Sequence, residues 1–191
     1  MNFKLWLEQN QSEEIWYHGR TVDSPIFSLD YVGREEALDQ EGPGFYFTND
    51  LENAKKYAEY KGIVLVCKMN YSKRLLTDRS KPNQKVIEYL IRNSPEFNDE
   101  YGPLTDFDEN PKVAFNQAVV NHLRYPQAKD AYQILANTFY KYNPKEYLIN
   151  LSKFFDGHIA LRQPGWLHDT LIKHLIVYNP NIIQVVNKIQ L

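Results

Sequence analysis

An α+β domain is the fold class that the sequence predicts. Runs of β-branched and aromatic residues with strand character lie toward both ends of the chain, and four stretches in the middle repeat their apolar residues at helical spacing. Proline, glycine and asparagine punctuate the joins between them. With 191 residues the chain is long enough to bury a substantial core. Its 43% hydrophobic and 24% charged residues suit a globular protein rather than a disordered one.

Glu14-Ile15-Trp16-Tyr17-His18-Gly19 reads as the first strand, ending at its glycine. A turn-rich connection containing Pro25 and Gly33 leads to the short aromatic strand Phe45-Tyr46-Phe47. Asn49 as N-cap, with Glu52 three residues on, predicts a helix from there to about Tyr60, and Gly62 reads as its C-cap. Leu51, Ala54, Tyr57 and Ala58 share one face of that helix. Residues 63–69 form a β-branched, apolar strand.

Helical periodicity then marks 83–94, 110–125, 128–142 and 143–155. The last opens on Asn143-Pro144-Lys145-Glu146, which combines an N-cap, a proline in the first turn and a capping glutamate. Between the first two, the acidic run NSPEFNDEYGPLTDFDENP reads as a solvated loop. Strand signals return at Asp156–Leu161, His174–Tyr178 and Ile182–Val186, the last two joined by an Asn179-Pro180-Asn181 turn.

Composition removes several function classes. A net charge of −2 argues against a dedicated basic nucleic-acid binder. The single Cys67 excludes an internal disulfide and a cysteine zinc site, so a reducing compartment is expected. The N-terminal MNFKLWLEQNQSEE is too polar for a signal peptide, and no stretch has the apolar length of a membrane span. A cytoplasmic protein without a membrane partner is therefore expected. The 14 tyrosines and 10 phenylalanines favour a ligand or partner surface. No serine nucleophile elbow, HExxH helix, P-loop or GxGxxG is present.

Three stretches remain as carriers of chemistry: WYHGRT at 16–21, GFYFTND at 44–50 with its helix, and FDGHIAL followed by HLIVYNPNIIQVV at the C-terminal end. Ten residues lie between Tyr46 and Tyr57, one on a strand and one on a helix. Packing into the core is one reading of the pair; two rings enclosing a flat ligand is the other. Taken together, the three stretches resemble the ADP-ribosyltransferase fold, in the branch of diphtheria toxin and the poly(ADP-ribose) polymerases. The small phage and bacterial members found in polyvalent proteins are the most similar. That family opens its site with (W/Y)HG(T/S). It continues with G-x-YF and a second tyrosine at the same separation, and closes with DG and then E-Y-(I/V)-V-(F/Y)-D-P.

The resemblance implies one domain over 1–191, with a split β-sheet or β-sandwich core and a helical insertion at about 73–153. It implies NAD as substrate, no metal, and transfer of ADP-ribose to a macromolecular acceptor, protein or nucleic acid, as toxins and effectors of phages and bacteria perform it. Tyr46 and Tyr57 would wall the cationic nicotinamide ring by stacking and cation–π attraction. The Gly19 main chain would pair with the carboxamide, His18 would hold a ribose hydroxyl, and Arg20 would reach the pyrophosphate unless it faces solvent.

His174 stands where the family carries its catalytic glutamate, and no glutamate follows Glu146; the later acids are Asp156 and Asp169. A neutral histidine, with an ordinary pKa of about 6.5, can bind a hydroxyl or act as a base but supplies no fixed negative charge. Chain growth is therefore not expected, and single transfer is. The same substitution leaves open a degenerate protein that binds NAD or ADP-ribose or blocks a partner, with His174 as a strand-edge residue. An RNA 2′-phosphotransferase-like enzyme is a third reading, for which Lys55, Lys56, Lys61, Arg74 and Arg79 offer phosphate contacts. Asp156 suits a structural turn, and His158 can face either way.

Overall fold

The computed structural model describes residues 14–32, 42–101, 109–162 and 172–191. The readings of Gly33, of Asp169 and of the chain before Glu14 lie outside the described residues, as do 102–108 of the acidic run.

The apolar run that predicts a strand at 63–69 forms β3 (Ile63–Met69), and β1 (Trp16–Arg20) pairs with it antiparallel from Trp16 opposite Cys67 to Arg20 opposite Ile63. With β2 (Phe45–Thr48), β4 (Leu75–Thr77), β5 (Gly157–Arg162), β6 (Ile172–Val177) and β7 (Ile183–Gln190) they make a seven-stranded sheet of order β4-β5-β6-β2-β1-β3-β7. The protein is α+β. Strand β4 is too short to leave a periodic signal. Strand β7 runs beyond its expected end at Val186 because it pairs with β3 as far as Gln190 opposite Ile63, although its last residues are polar.

The chain divides into two compact units. The first comprises Met1–Ser28, Phe45–Leu75 and Asp156–Leu191, the second Leu29–Gly44 and Leu76–Phe155. In the first, α1 (Leu51–Ala58) lies on the sheet with Ala54 and Ala58 buried beside Val64. Its N-cap is Asp50 rather than Asn49: the Asp50 carboxylate accepts from the Asn53 N–H at 2.6 Å. Asn49 is used elsewhere, its Oδ1 accepting from the Lys173 N–H at 2.9 Å. The helix stops at Ala58, and the C-cap is Glu59, with a positive φ of 56°, rather than Gly62. Gly62 serves packing instead, since a Cβ there would come within 1.8 Å of the Ala58 carbonyl oxygen and 2.1 Å of that of Arg20.

Asp156 begins the return of the chain to this sheet. It is fully buried, and its Oδ2 accepts from the main-chain N–H groups of Ser72, at 2.5 Å, and Lys73. Ser72 Oγ adds a bond to Oδ1 at 3.3 Å. This is the structural turn that its DG context suggested. We expect Asp156→Asn, which keeps the shape but loses the charge that strengthens such bonds, to cost about 1–2 kcal/mol in urea denaturation. Cys67 is also fully buried, and burial pushes its thiol up to about 12, so it is inert rather than nucleophilic.

The second unit carries α2 (Gln84–Arg92), α3 (Pro95–Tyr101), α4 (Glu109–Leu123), α5 (Ala128–Phe139) and α6 (Pro144–Leu151). Ile87, Leu90, Ile91, Leu135, Leu148 and Leu151 are all fully buried in it. Two tyrosines span its core by hydrogen bonds: Tyr140 Oη donates to the Leu90 carbonyl at 2.6 Å, and Tyr147 Oη to that of Tyr132 at 2.9 Å. Helix α3 corrects the reading of the acidic run as loop throughout. Ser94 Oγ accepts from the Phe97 N–H at 3.1 Å, Pro95 opens the helix, and Phe97 is fully buried. The Ser-Pro-Glu start is a helix signal that the surrounding acids and prolines obscure.

Candidate functional site

The sheet has one weak seam. Strands β2 and β6 pair over all four residues of β2, and β1 pairs with β3 along its whole length, but β1 and β2 pair only at Tyr17 and Thr48. Strand alternation identifies the main-chain groups at this seam. The Asn49 N–H donates to the Lys173 carbonyl, on the β6 side. Phe47 and Phe45 therefore turn their main-chain groups toward β6, while Thr48 and Tyr46 turn theirs toward β1. Tyr17 faces Thr48, and Gly19, two residues on, points its N–H and C=O in the same direction, past the point where the ladder stops. The Tyr46 carbonyl, which a continued ladder would engage, bonds instead to His18 Nδ1 at 2.6 Å.

That bond defines the state of His18. A carbonyl only accepts, so Nδ1 carries the proton and Nε2 is left with its lone pair. The ring packs against Phe27 and Phe47, with centroids 5.0 and 5.1 Å away. Burial lowers its pKa to about 4; the carbonyl bond opposes this, and the nearby Arg20 charge adds to it. His18 is thus a neutral imidazole. Arg20 is on the same face, its guanidinium 4.3 Å from the centre of the Phe27 ring. It donates to the carbonyls of Ser24 at 2.5 Å and Ile26 at 2.9 Å, and burial lowers its pKa. The structure uses this arginine to hold the 24–27 segment against the sheet.

The opposite face carries the rest. Tyr46 stands opposite Ile176 and Thr48 opposite His174, so Tyr46 and His174 share a face. Helix α1 covers Gly19 on this face: a Cβ on Gly19 would be 2.1 Å from the Ala54 carbonyl oxygen and 2.8 Å from the Ala58 nitrogen. The glycine therefore has a packing cause independent of any ligand. Further along, Asn53 Nδ2 is 3.2 Å from His174 Nε2. The helix consequently runs antiparallel to β2, with Asn53 level with Thr48 and His174, and the turn after it level with Gly19.

This direction places Tyr57. It lies one turn beyond Asn53 on the same flank of α1, an advance of about 6 Å. Tyr46 lies two residues before Thr48, a distance of about 6.8 Å along the strand. Ideal rises therefore bring the main-chain positions of Tyr46 and Tyr57 to about the same level, one on the sheet and one on the helix above it. Tyr57 is 51% exposed, which removes it from the core that its helical spacing suggested.

Tyr46 and His174 thus share one face of the sheet beside the seam, α1 with its Tyr57 lies over that face, and the Gly19 main chain is at the seam itself. His18 approaches from the other face, and Arg20 is engaged away from the group. Asn53 belongs to the cluster although its sequence position gives no chemical signal beyond its i, i+4 relation to Tyr57. His158 is opposite Ile176, on the face of Tyr46, and is fully buried. Among the basic residues proposed for phosphate, Lys55 pairs with Glu52 at 2.7 Å. Among the described residues no group of three or more potential ligands could hold a metal ion, and no helix is long and apolar enough to cross a membrane. Comparison with family models, curated proteins and solved structures finds no match to this chain.

Proposed function

We propose that the protein is an NAD-dependent mono-ADP-ribosyltransferase with an ADP-ribosyltransferase-like fold, acting in the cytoplasm of its producing or host cell. What supports this reading is the sheet seam at Gly19, together with the similar level that ideal helix and strand rises give Tyr46 and Tyr57 beside it. A main-chain N–H and C=O at a strand edge offer a donor and an acceptor to a primary carboxamide. The phenol faces of Tyr46 and Tyr57 offer stacking and cation–π attraction to the pyridinium joined to it. His18 lies on the other face with its Nδ1 on the Tyr46 carbonyl, so its Nε2 would accept a ribose hydroxyl hydrogen only from a ligand that enters the opening between β1 and β2. Arg20 has no role in this version of the site.

As nicotinamide leaves, positive charge develops on the ribose as in glycoside hydrolysis. His174 provides a dipole there rather than a carboxylate, which suits one transfer to a protein or nucleic-acid acceptor and not repeated elongation. The same feature favours a second reading, a protein that binds NAD or ADP-ribose without turning it over. The deciding experiment incubates the purified protein with adenine-labelled NAD in cell lysate. Nicotinamide release and label retained on a macromolecule support the transferase. Calorimetric binding of NAD with neither product identifies the binding protein, and no binding overturns both readings.

Tyr57→Ala separates this role from a structural one. Half-exposed, Tyr57 contributes little to folding, so stability should stay within about 0.5 kcal/mol of wild type. Loss of stacking worth roughly 0.5–2 kcal/mol should lower kcat/KM for NAD about 2- to 30-fold. Urea denaturation and nicotinamide release measure the two effects.

A further inference from the structure

The contact between Asn53 and His174 fixes more than position. Asn53 Nδ2 is an amide nitrogen and only donates, so at 3.2 Å from His174 Nε2 it makes that ring nitrogen the acceptor. A neutral imidazole that accepts at Nε2 carries its proton on Nδ1. Asn53 is in turn held in place. Its main-chain N–H bonds to the Asp50 carboxylate at 2.6 Å, and the Asp50 N–H bonds to Thr48 Oγ1 at 3.2 Å. Thr48 is buried and stands opposite His174 in the β2–β6 pairing. The connection therefore closes on itself: strand β2, the start of α1, and back to β6.

We propose that Asn53 is a positioning residue that locks His174 in its Nδ1–H form, so that its Nε2 does not serve as a general base. With Nε2 engaged by the amide and Nδ1 protonated, the ring has no lone pair with which to take a proton while the Asn53 bond stands. Its consequence for catalysis rests on the transferase reading: a ring held in this form cannot deprotonate an acceptor. Activation of the acceptor then falls to the acceptor itself or to another group, which favours acceptors that are nucleophilic without help.

The tautomer can be measured without any turnover. Long-range 1H–15N correlation spectra of the 15N-labelled protein, with His174 assigned through His174→Gln, should show a protonated Nδ1 and a bare Nε2 in the wild type. A protonated Nε2 in the wild type overturns the proposal. Asn53→Asp replaces the donor with an acceptor and should move the proton to Nε2. Unchanged spectra in a folded Asn53→Asp variant also overturn it. If nicotinamide release is established, Asn53→Leu should lower kcat about tenfold with KM little altered, since an orienting contact rather than substrate binding is lost. A KM change alone would refute the positioning role. Failure of the NAD reaction with the expected tautomer present would reject the transferase reading and leave the lock standing.

Discussion

Gly19→Ala is expected to lose about 3 kcal/mol of stability or more, at the upper end of what overpacking costs. The added methyl would stand 2.1 Å from the Ala54 carbonyl oxygen, 2.8 Å from the Ala58 nitrogen and 3.1 Å from the Ala54 carbonyl carbon. All three are main-chain atoms, so no rotamer change relieves the contact and the helix itself must lift. Because α1 carries Asn53 and Tyr57, lifting it also separates Tyr57 from the level of Tyr46 and Asn53 from His174. Urea denaturation measures the first effect and nicotinamide release the second. An alanine variant as stable as wild type would mean that α1 does not sit on β1 as described. The experiment also distinguishes two causes for one glycine, because a residue needed only to admit a ligand would tolerate alanine in the unliganded fold.

Acid should weaken the protein across a window set by His18. Its pKa is about 4 in the folded protein, against 6.5 as its ordinary value. Between those values the unfolded chain binds a proton at this site that the folded protein does not, so stability rises with pH through the window. The contribution is complete above about pH 6.5 and is lost as pH falls to about 4. The shift corresponds to roughly 3 kcal/mol, as an order of magnitude. Burial also lowers the pKa of His122, which adds a loss of the same sign from the second unit. In denaturation measured from pH 7 to pH 4, His18→Phe should flatten the profile while retaining the ring contacts to Phe27 and Phe47. A variant with the same slope as wild type would show that His18 is not the half-buried neutral group described. The phenylalanine variant also leaves the Tyr46 carbonyl without its imidazole partner, so its stability at pH 7 is expected to be lower than wild type even as its pH dependence shrinks.

Much of the fold was legible because several signals were local. The apolar run at 63–69 is a strand by composition alone, and Asn143-Pro144 opens α6 where expected. Errors arose where two local signals competed. Asn49 and Asp50 are adjacent capping residues, and which one caps was decided by the Asn49 bond to Lys173 on a strand more than a hundred positions away. At Ser94-Pro95 a helix start was hidden by the acids that follow it.

The candidate site residues could be named from the sequence one by one, but not the arrangement in which the fold holds them. His18 and Tyr46 fall on opposite faces because Tyr17 pairs with Thr48, and that register is a long-range fact. The hydrogen bond of Arg20 to Ser24 and its stacking on Phe27 show the same limit: an arginine beside a motif can as well hold its own loop as a phosphate. Asn53 is a residue of common type on a helix flank, and only the approach of His174 gives it meaning.

Tyr17 and Thr48 form the single rung between two blocks of the sheet, β4-β5-β6-β2 on one side and β1-β3-β7 on the other. A sheet whose blocks share one backbone pairing and the His18–Tyr46 bond relieves shear there rather than transmitting it. A molecule that bridged Gly19 to the facing strand would act as additional stitching, so occupancy and stiffness would rise together. The protein would then be most pliant when empty, and its tightening would report on what it holds.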